Sequence, residues 1–321
     1  MSDLLTPERT THNAPRENAR YVIADLFNVP ADRAAKLTGK SKPGRFTPAR
    51  NDAHVFDSNL GLILAWLESG DRDGLYIYGP TQCGKTSSIR EVCARLNLDM
   101  FETDGHAHME LSDLLGQYVV IDGDMLWQDG ILTNAVRADG MFVLNEIDAV
   151  DPGVLIGLHK LLEGRDLVIT ENGGEIIPIG PEFKIVVTGN TNGMSDPSGM
   201  YSRTNQLNAA TVERFWMIEM DYLDRDKEAG LLVSNLSVDK KIADRFVSVA
   251  EHTRPDANGI GQVEIPLSTN SLLRACRIAQ MIGSSDGNNS TLKRAFRTAY
   301  SNRLSVESRD AVDQIIDRVF P

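Results

Sequence analysis

The sequence predicts an α/β fold with a mostly parallel sheet, followed by a small all-helical domain. Three observations carry this expectation. A glycine-rich loop sits between an apolar strand and a helix. Strands alternate with helical segments over the first two thirds of the 321 residues, and helical periodicity continues from about residue 225 to the end.

Taken in order, residues 17–28 read as an amphipathic helix through Tyr21, Val22, Ile23, Leu26 and Phe27, and a linker follows to about residue 53. Residues 55–68 read as a second helix. Leu75–Tyr78 is an apolar strand, and residues 86–96 are helical. A strand over 99–102 and a helix from Ser112 come next. Two β-like runs, 118–121 and 125–127, flank an Asp122-Gly123-Asp124 turn. A helix over 131–137 precedes the strand 141–144, and a helix over 152–162 follows it. A second hairpin spans 167–179 with its turn at Asn172-Gly173-Gly174, and the strand 183–188 ends at Gly189-Asn190. The tail divides into helices over 226–236, 239–253, 269–282, 290–301 and 308–319. The organisation is thus an N-terminal helix and basic linker (1–50), a nucleotide-binding unit (51–224) and a helical unit (225–321).

The glycine-rich loop is Gly79-Pro80-Thr81-Gln82-Cys83-Gly84-Lys85-Thr86, a complete G-x-x-x-x-G-K-T motif in its strand–loop–helix setting, with Ser87 next in the helix. Glycines let backbone N–H groups curl around phosphates, and the helix N-terminus adds its positive dipole end. Lys85 is placed to reach the β- and γ-phosphates and Thr86 to bind Mg²⁺, so the chain is expected to bind a nucleoside triphosphate. A phosphate loop needs an acidic strand end to hold the metal and activate water. Met141-Phe142-Val143-Leu144 runs into Asn145-Glu146-Ile147-Asp148 and supplies one. Glu146 is the candidate to activate water. Asn145 stands where an aspartate is usual, and Asp148 is a candidate source of the missing charge. Asn190 is a candidate to bond the γ-phosphate or the attacking water, although an asparagine after a strand is also ordinary turn chemistry.

These motifs, together with Cys93-Ala94-Arg95-Leu96-Asn97, Gly189-Asn190-Thr191-Asn192-Gly193, Gly199-Met200-Tyr201, Glu213-Arg214-Phe215 and Pro266-Leu267-Ser268-Thr269, resemble the AAA+ ATPases of the MoxR group. Within that group the CobS-type ATPase subunits of aerobic cobaltochelatase are the nearest in pattern. The resemblance implies an αβα sandwich with a helical lid, ATP and Mg²⁺ as ligands, and a homo-oligomer, a hexameric ring with nucleotide between subunits. It implies Arg214 as an arginine finger for the neighbouring site, with Arg203 a second candidate. The hairpins match insertions that face the ring's pore or a partner surface. A von Willebrand A domain protein is the implied partner. Asn270 stands where the family often places a second sensor arginine, and Arg274, one turn on, is the candidate replacement.

Composition bounds the rest. Net charge is −12, with +4 in residues 1–50 and −16 beyond. An acidic body with no basic or aromatic track argues against nucleic acid as a partner. No apolar stretch approaches a membrane span, and the three cysteines have neither metal-ligand spacing nor a disulfide framework, so a cytoplasmic setting is expected. Cys83 reads as a small filler. Trp66, Trp127 and Trp216 read as packing residues. His106 and His108, with Glu102 and Asp104 nearby, match no tetrahedral metal set and read as a polar loop. The expected activity is ATP hydrolysis coupled to remodelling a partner protein or metal-insertion complex. Alternatives are a hydrolysis-poor, ATP-binding assembly factor, motivated by Asn145, and a nucleic-acid-linked NTPase.

Overall fold

A computed structural model describes residues 16–194, 204–255, 263–283 and 289–321. Five parallel strands form the central sheet: β3 (Gly74–Tyr78), β4 (Met100–Asp104), β7 (Met141–Asn145), β10 (Lys184–Gly189) and β11 (Phe215–Glu219), in the order β11-β3-β10-β7-β4. Every residue of β7 and β10 is buried, as expected of central parallel strands covered on both faces.

Side-chain alternation along these strands divides the core into two layers. Tyr76, Phe142, Leu144, Ile185 and Val187 point to one face. There they meet α5 (Ile131–Arg137), α6 (Pro152–Ile156) and α7 (His159–Leu162) through Leu132, Val136, Leu155 and Leu161. Leu75, Ile77, Val143, Val186 and Ile218 point to the other, against α2 (Leu60–Glu68) and α3 (Lys85–Leu96) through Ile63, Trp66, Ile89 and Val92. Helices on both faces of a parallel sheet make an αβα sandwich. The helix expected over 152–162 is two short pieces. They part at Gly157, whose backbone lies so near Leu111 that a Cβ there would come within 2.6 Å of Cδ1.

The N-terminal expectation is corrected. Residues 18–22 form β1 (Asn18–Val22), only 23–27 are helical (α1, Ile23–Phe27), and the expected linker contains β2 (Lys36–Lys40). β1 and β2 pair antiparallel with Tyr21 opposite Leu37. Phe27 and Leu37 enter the same core layer as α2 and α3, so this segment is built into the sandwich. The strand β11 is also new relative to the sequence reading, which took Phe215 as the end of a motif and left 216–219 unassigned.

The two hairpins form as expected. β5 (Gly116–Ile121) follows the short helix α4 (Leu111–Leu115) and pairs with β6 (Asp124–Asp129); β8 (Leu167–Ile169) pairs with β9 (Glu175–Ile177). Beyond α8 (Ala209–Val212) and β11, a third core unites α9 (Arg225–Leu236), α10 (Lys240–Thr253), α11 (Thr269–Ile282), α12 (Ser290–Ala299) and α13 (Val306–Val319). Phe246 and Phe296 stack at its centre, 5.2 Å apart. Near α11, Glu228 is buried and held by the two terminal Arg254 nitrogens at 2.8 Å and by the Thr269 hydroxyl at 2.6 Å. Among the described residues no helix is long and apolar enough to cross a membrane.

Candidate functional site

The glycine loop is shaped by its surroundings as much as by its composition. Gly79 has φ +146°, and a Cβ there would lie 1.9 Å from the Met220 carbonyl oxygen, so no side chain fits. Gly84, at φ +112°, caps α3 without a side chain, leaving the helix N-terminus to face an anion with its own N–H groups. Lys85 is buried and donates to the Gly79 and Pro80 carbonyls, each at 2.8 Å, and to Asn190 Oδ1 at 3.3 Å. Burial pulls its pKa below the usual lysine value, the situation of a cation short of counter-charge. Thr81 donates to Asn190 Oδ1 at 3.5 Å. The Cys83 thiol packs against the Met220 carbonyl at 3.5 Å, and burial pushes its pKa up, which keeps it protonated and unreactive. Ser87 donates to Gly84 O at 2.9 Å and closes the first helical turn.

The ends of β7, β10 and β4 meet this loop. The Thr86 hydroxyl donates to Asn145 Oδ1 at 2.7 Å, and Thr188 donates to the same oxygen at 3.1 Å. The Asn145 amide donates in turn to Glu102 Oε1 at 2.8 Å and Asp104 Oδ1 at 2.9 Å. Glu146 is exposed and adopts φ 52°, a left-handed conformation that costs a non-glycine residue roughly 1 kcal/mol. That turn lifts its carboxylate out of the sheet end.

Asp148 is held at the turn after β10. Its Oδ2 accepts from the Asn190 N–H at 2.7 Å, the Thr191 N–H at 3.1 Å and the Thr191 hydroxyl at 3.5 Å. Only 1% exposed, it braces the turn after β10, which Tyr76 also holds by donating to Thr191 O at 2.7 Å. It thereby positions Asn190, and its negative charge also acts on Lys85, whose pKa it raises against the pull of burial.

The oxygen atoms of Thr86, Asn145 and Thr188, backed by two carboxylates, are the hard donors that Mg²⁺ prefers, so these residues suit that ion. Among the described residues no group of three or more His, Cys, Asp or Glu could hold a metal ion.

The arginines lie elsewhere. Arg214 precedes β11, where Phe215 is opposite Gly74. It is therefore at the start of β3, about 13 Å along the strand from the loop at the other end. Its guanidinium is partly exposed, pairs with Glu163 at 2.6 Å and donates to Ala210 O. Arg203 lies outside the described residues, as does Gly199-Met200-Tyr201. Arg274 and Asn270 are both exposed on α11. The α11 cap reaches the loop, with Ser268 Oγ donating to Gln82 Oε1 at 2.8 Å. Gln82 is itself left-handed, at φ 60°.

Sequence reasoning missed Glu102, Asp104 and Thr188 as parts of the site. The available signal was position: each is a polar residue near the carboxyl end of an apolar strand, where ligands of open parallel sheets collect.

Residues 74–215 match the family model of the AAA domain, dynein-related subfamily. The chain is 26% identical over 309 residues to the aerobic cobaltochelatase subunit CobS of a Sinorhizobium species, covering 93% of this chain and 90% of that one. It is 30% identical over 205 residues to the denitrification regulatory protein NirQ of Pseudomonas aeruginosa, covering 63% and 76%. It is 27% identical over 202 residues to protein NorQ of Paracoccus denitrificans, covering 59% and 72%.

Proposed function

Because this chain belongs to the MoxR-type AAA+ ATPases, we propose that it binds ATP with Mg²⁺ in the glycine loop and hydrolyses it at a site shared between neighbouring copies in a homo-oligomeric ring of six. The observation that carries this reading is the division of the chemistry between the two ends of β3. Lys85, Thr86, Asn145 and Asn190 gather at one end, and Arg214 stands at the other. An arginine there cannot serve its own loop, so it acts on a neighbour's.

Each group then has a task. Lys85 exchanges the Gly79 and Pro80 carbonyls for phosphate oxygens, which supply the counter-charge its burial lacks. The Asn190 side-chain amide, on a backbone whose N–H is held by Asp148, orients the γ-phosphate or the attacking water. Glu146 takes the proton from that water at its carboxylate. Arg214, leaving Glu163, stabilises the charge spread over the transferring phosphoryl group. Mg²⁺, when bound, neutralises phosphate charge, held by Thr86 and the Asn145 oxygen.

Hydrolysis is coupled to remodelling a protein partner through the hairpins. Val120 (72% exposed) and Met125 (69%) project from one and Ile176 (63%) from the other, and Tyr118 donates to Asn172 across them at 3.3 Å. The proposed partner is a von Willebrand A domain protein, and the relatives CobS and NirQ are named for cobalt chelation and for the regulation of denitrification. The decisive experiment is Mg²⁺-dependent ATP turnover and ATP binding in Lys85→Ala. Both are expected to be lost, and turnover at the original rate would overturn the reading.

A further inference from the structure

Resting on the nucleotide-binding reading above, we propose that Asp104, with Glu102 beside it, supplies the negative charge of the Mg²⁺ subsite, and that Asn145 is the neutral relay between those carboxylates and Thr86. In this chain the acid has moved from the end of β7 to the end of the adjacent strand β4.

The orientation of the Asn145 amide follows from donor chemistry. Carboxylates only accept, so the two N–H bonds must face Glu102 and Asp104 at 2.8 and 2.9 Å. The amide oxygen then faces Thr86 and Thr188, both hydroxyl donors, at 2.7 and 3.1 Å. Turned over, it would set an oxygen against two carboxylates. Asn145 is only 7% exposed, so this arrangement is held from all sides. Register holds it as well. Asp104 is directly opposite Asn145 in the β4–β7 ladder, and Gly105 N–H donates to Asn145 O at 2.8 Å. A Cβ at Gly105 would lie 2.8 Å from Glu146 O, so the two strand ends must close on each other here.

Charge explains why position 145 is neutral. An aspartate there would place a third carboxylate within hydrogen-bond distance of two others, a grouping that resists ionisation. Glu102 is already met by Arg90 at 2.5 Å. Among the described residues no cation pairs with Asp104, and it is exposed at the strand end. The cluster therefore keeps one net negative charge, the amount an aspartate at 145 would contribute alone. Mg²⁺ retains several waters when bound to protein, so a carboxylate one shell out, acting through an amide oxygen, is a workable holder of its charge.

The test measures affinity for a fluorescent, non-hydrolysable ATP analogue with Mg²⁺ and in EDTA, using the full chain and three variants: Asp104→Asn, Asn145→Asp and the double exchange Asp104→Asn/Asn145→Asp. Thermal unfolding verifies that each folds. Asp104→Asn is expected to reduce the Mg²⁺-dependent gain in affinity about tenfold or more while leaving the EDTA value unchanged. Asn145→Asp alone brings no gain, and the double exchange, which returns the charge to β7, restores the Mg²⁺ dependence. An unaltered Mg²⁺ dependence in Asp104→Asn, or a gain in Asn145→Asp alone, would overturn the inference while leaving nucleotide binding intact. No analogue binding by the original chain under either condition would overturn both.

Discussion

The hydroxyl of Ser268 donates to Oε1 of Gln82 at 2.8 Å while accepting from the Ser271 N–H at 3.3 Å, so one atom both caps α11 and grips the glycine loop. This hydrogen bond ties the helical unit to the loop at a strained residue, since Gln82 holds φ 60° without being glycine. The strain and the hydrogen bond can be separated by substitution. Gln82→Ala loses the bond and keeps the strain; Gln82→Gly loses the same bond and relieves about 1 kcal/mol of strain. The Gly variant is therefore expected to be more stable than the Ala variant by about that amount in chemical denaturation. Both should show the same faster amide exchange at Ser271 and Leu272. Unchanged exchange in the two variants would mean that the contact carries no coupling.

Arg214 gives a test of sharing between copies. Arg214→Ala should bind ATP within a few-fold of the original chain and lose about a hundredfold or more in turnover, because it removes a group used only as charge develops. Mixing it with Lys85→Ala is the more telling measurement. The first variant has a sound loop and no finger, and the second has a sound finger and no loop. Apposed in one ring they rebuild a complete site, so turnover of the mixture should exceed the sum of the separate proteins. Turnover no greater than that sum would place the arginine outside the neighbouring site.

What could be read beforehand depended on how far apart in the chain the cooperating residues are. The loop was legible because strand, glycines, lysine and helix are contiguous, and the chemistry is written in one stretch of eight residues. The sheet was legible for its buried strands, whose apolar runs are unbroken. β11 was obscured because Phe215 to Glu219, at the sheet edge, is neither buried throughout nor regularly alternating, and it follows a motif directly. β1 and β2 were missed because a strand depends on a partner. Lys36-Leu37-Thr38-Gly39-Lys40 looks like linker until Tyr21 and Val22 lie beside it. The same reason hid Glu102 and Asp104, which are 43 and 41 residues from Asn145 and reach it only through strand register. Asp148 shows that nearness in the chain does not name the partners. It is three residues from Asn145, yet its carboxylate bonds the N–H groups of Asn190 and Thr191.

His54 supplies a pH dependence whose sign can be worked out. Its ring packs edge-on to Phe56 at 4.5 Å, and Nε2 is enclosed without a hydrogen-bond partner among the described residues. Burial, the largest influence, pulls its pKa below 6.5. The nearby Glu91 opposes that shift and Arg95 adds to it. Between the lowered folded value and 6.5 the unfolded chain binds the proton more readily than the folded one. Stability therefore rises with pH across that window, is complete above 6.5, and is lost as pH falls. Between pH 6.5 and 5.5 this one group accounts for at most about 1.4 kcal/mol, and less to the extent that solvent reaches the ring. His54→Phe removes the titration and keeps an aromatic ring against Phe56. Its unfolding free energy, measured by denaturant titration at pH 7.5 and 5.5, should fall less between the two than that of the original chain. An equal or larger fall would mean that another group sets the acid limb, and that the imidazole accepts its proton without leaving its place.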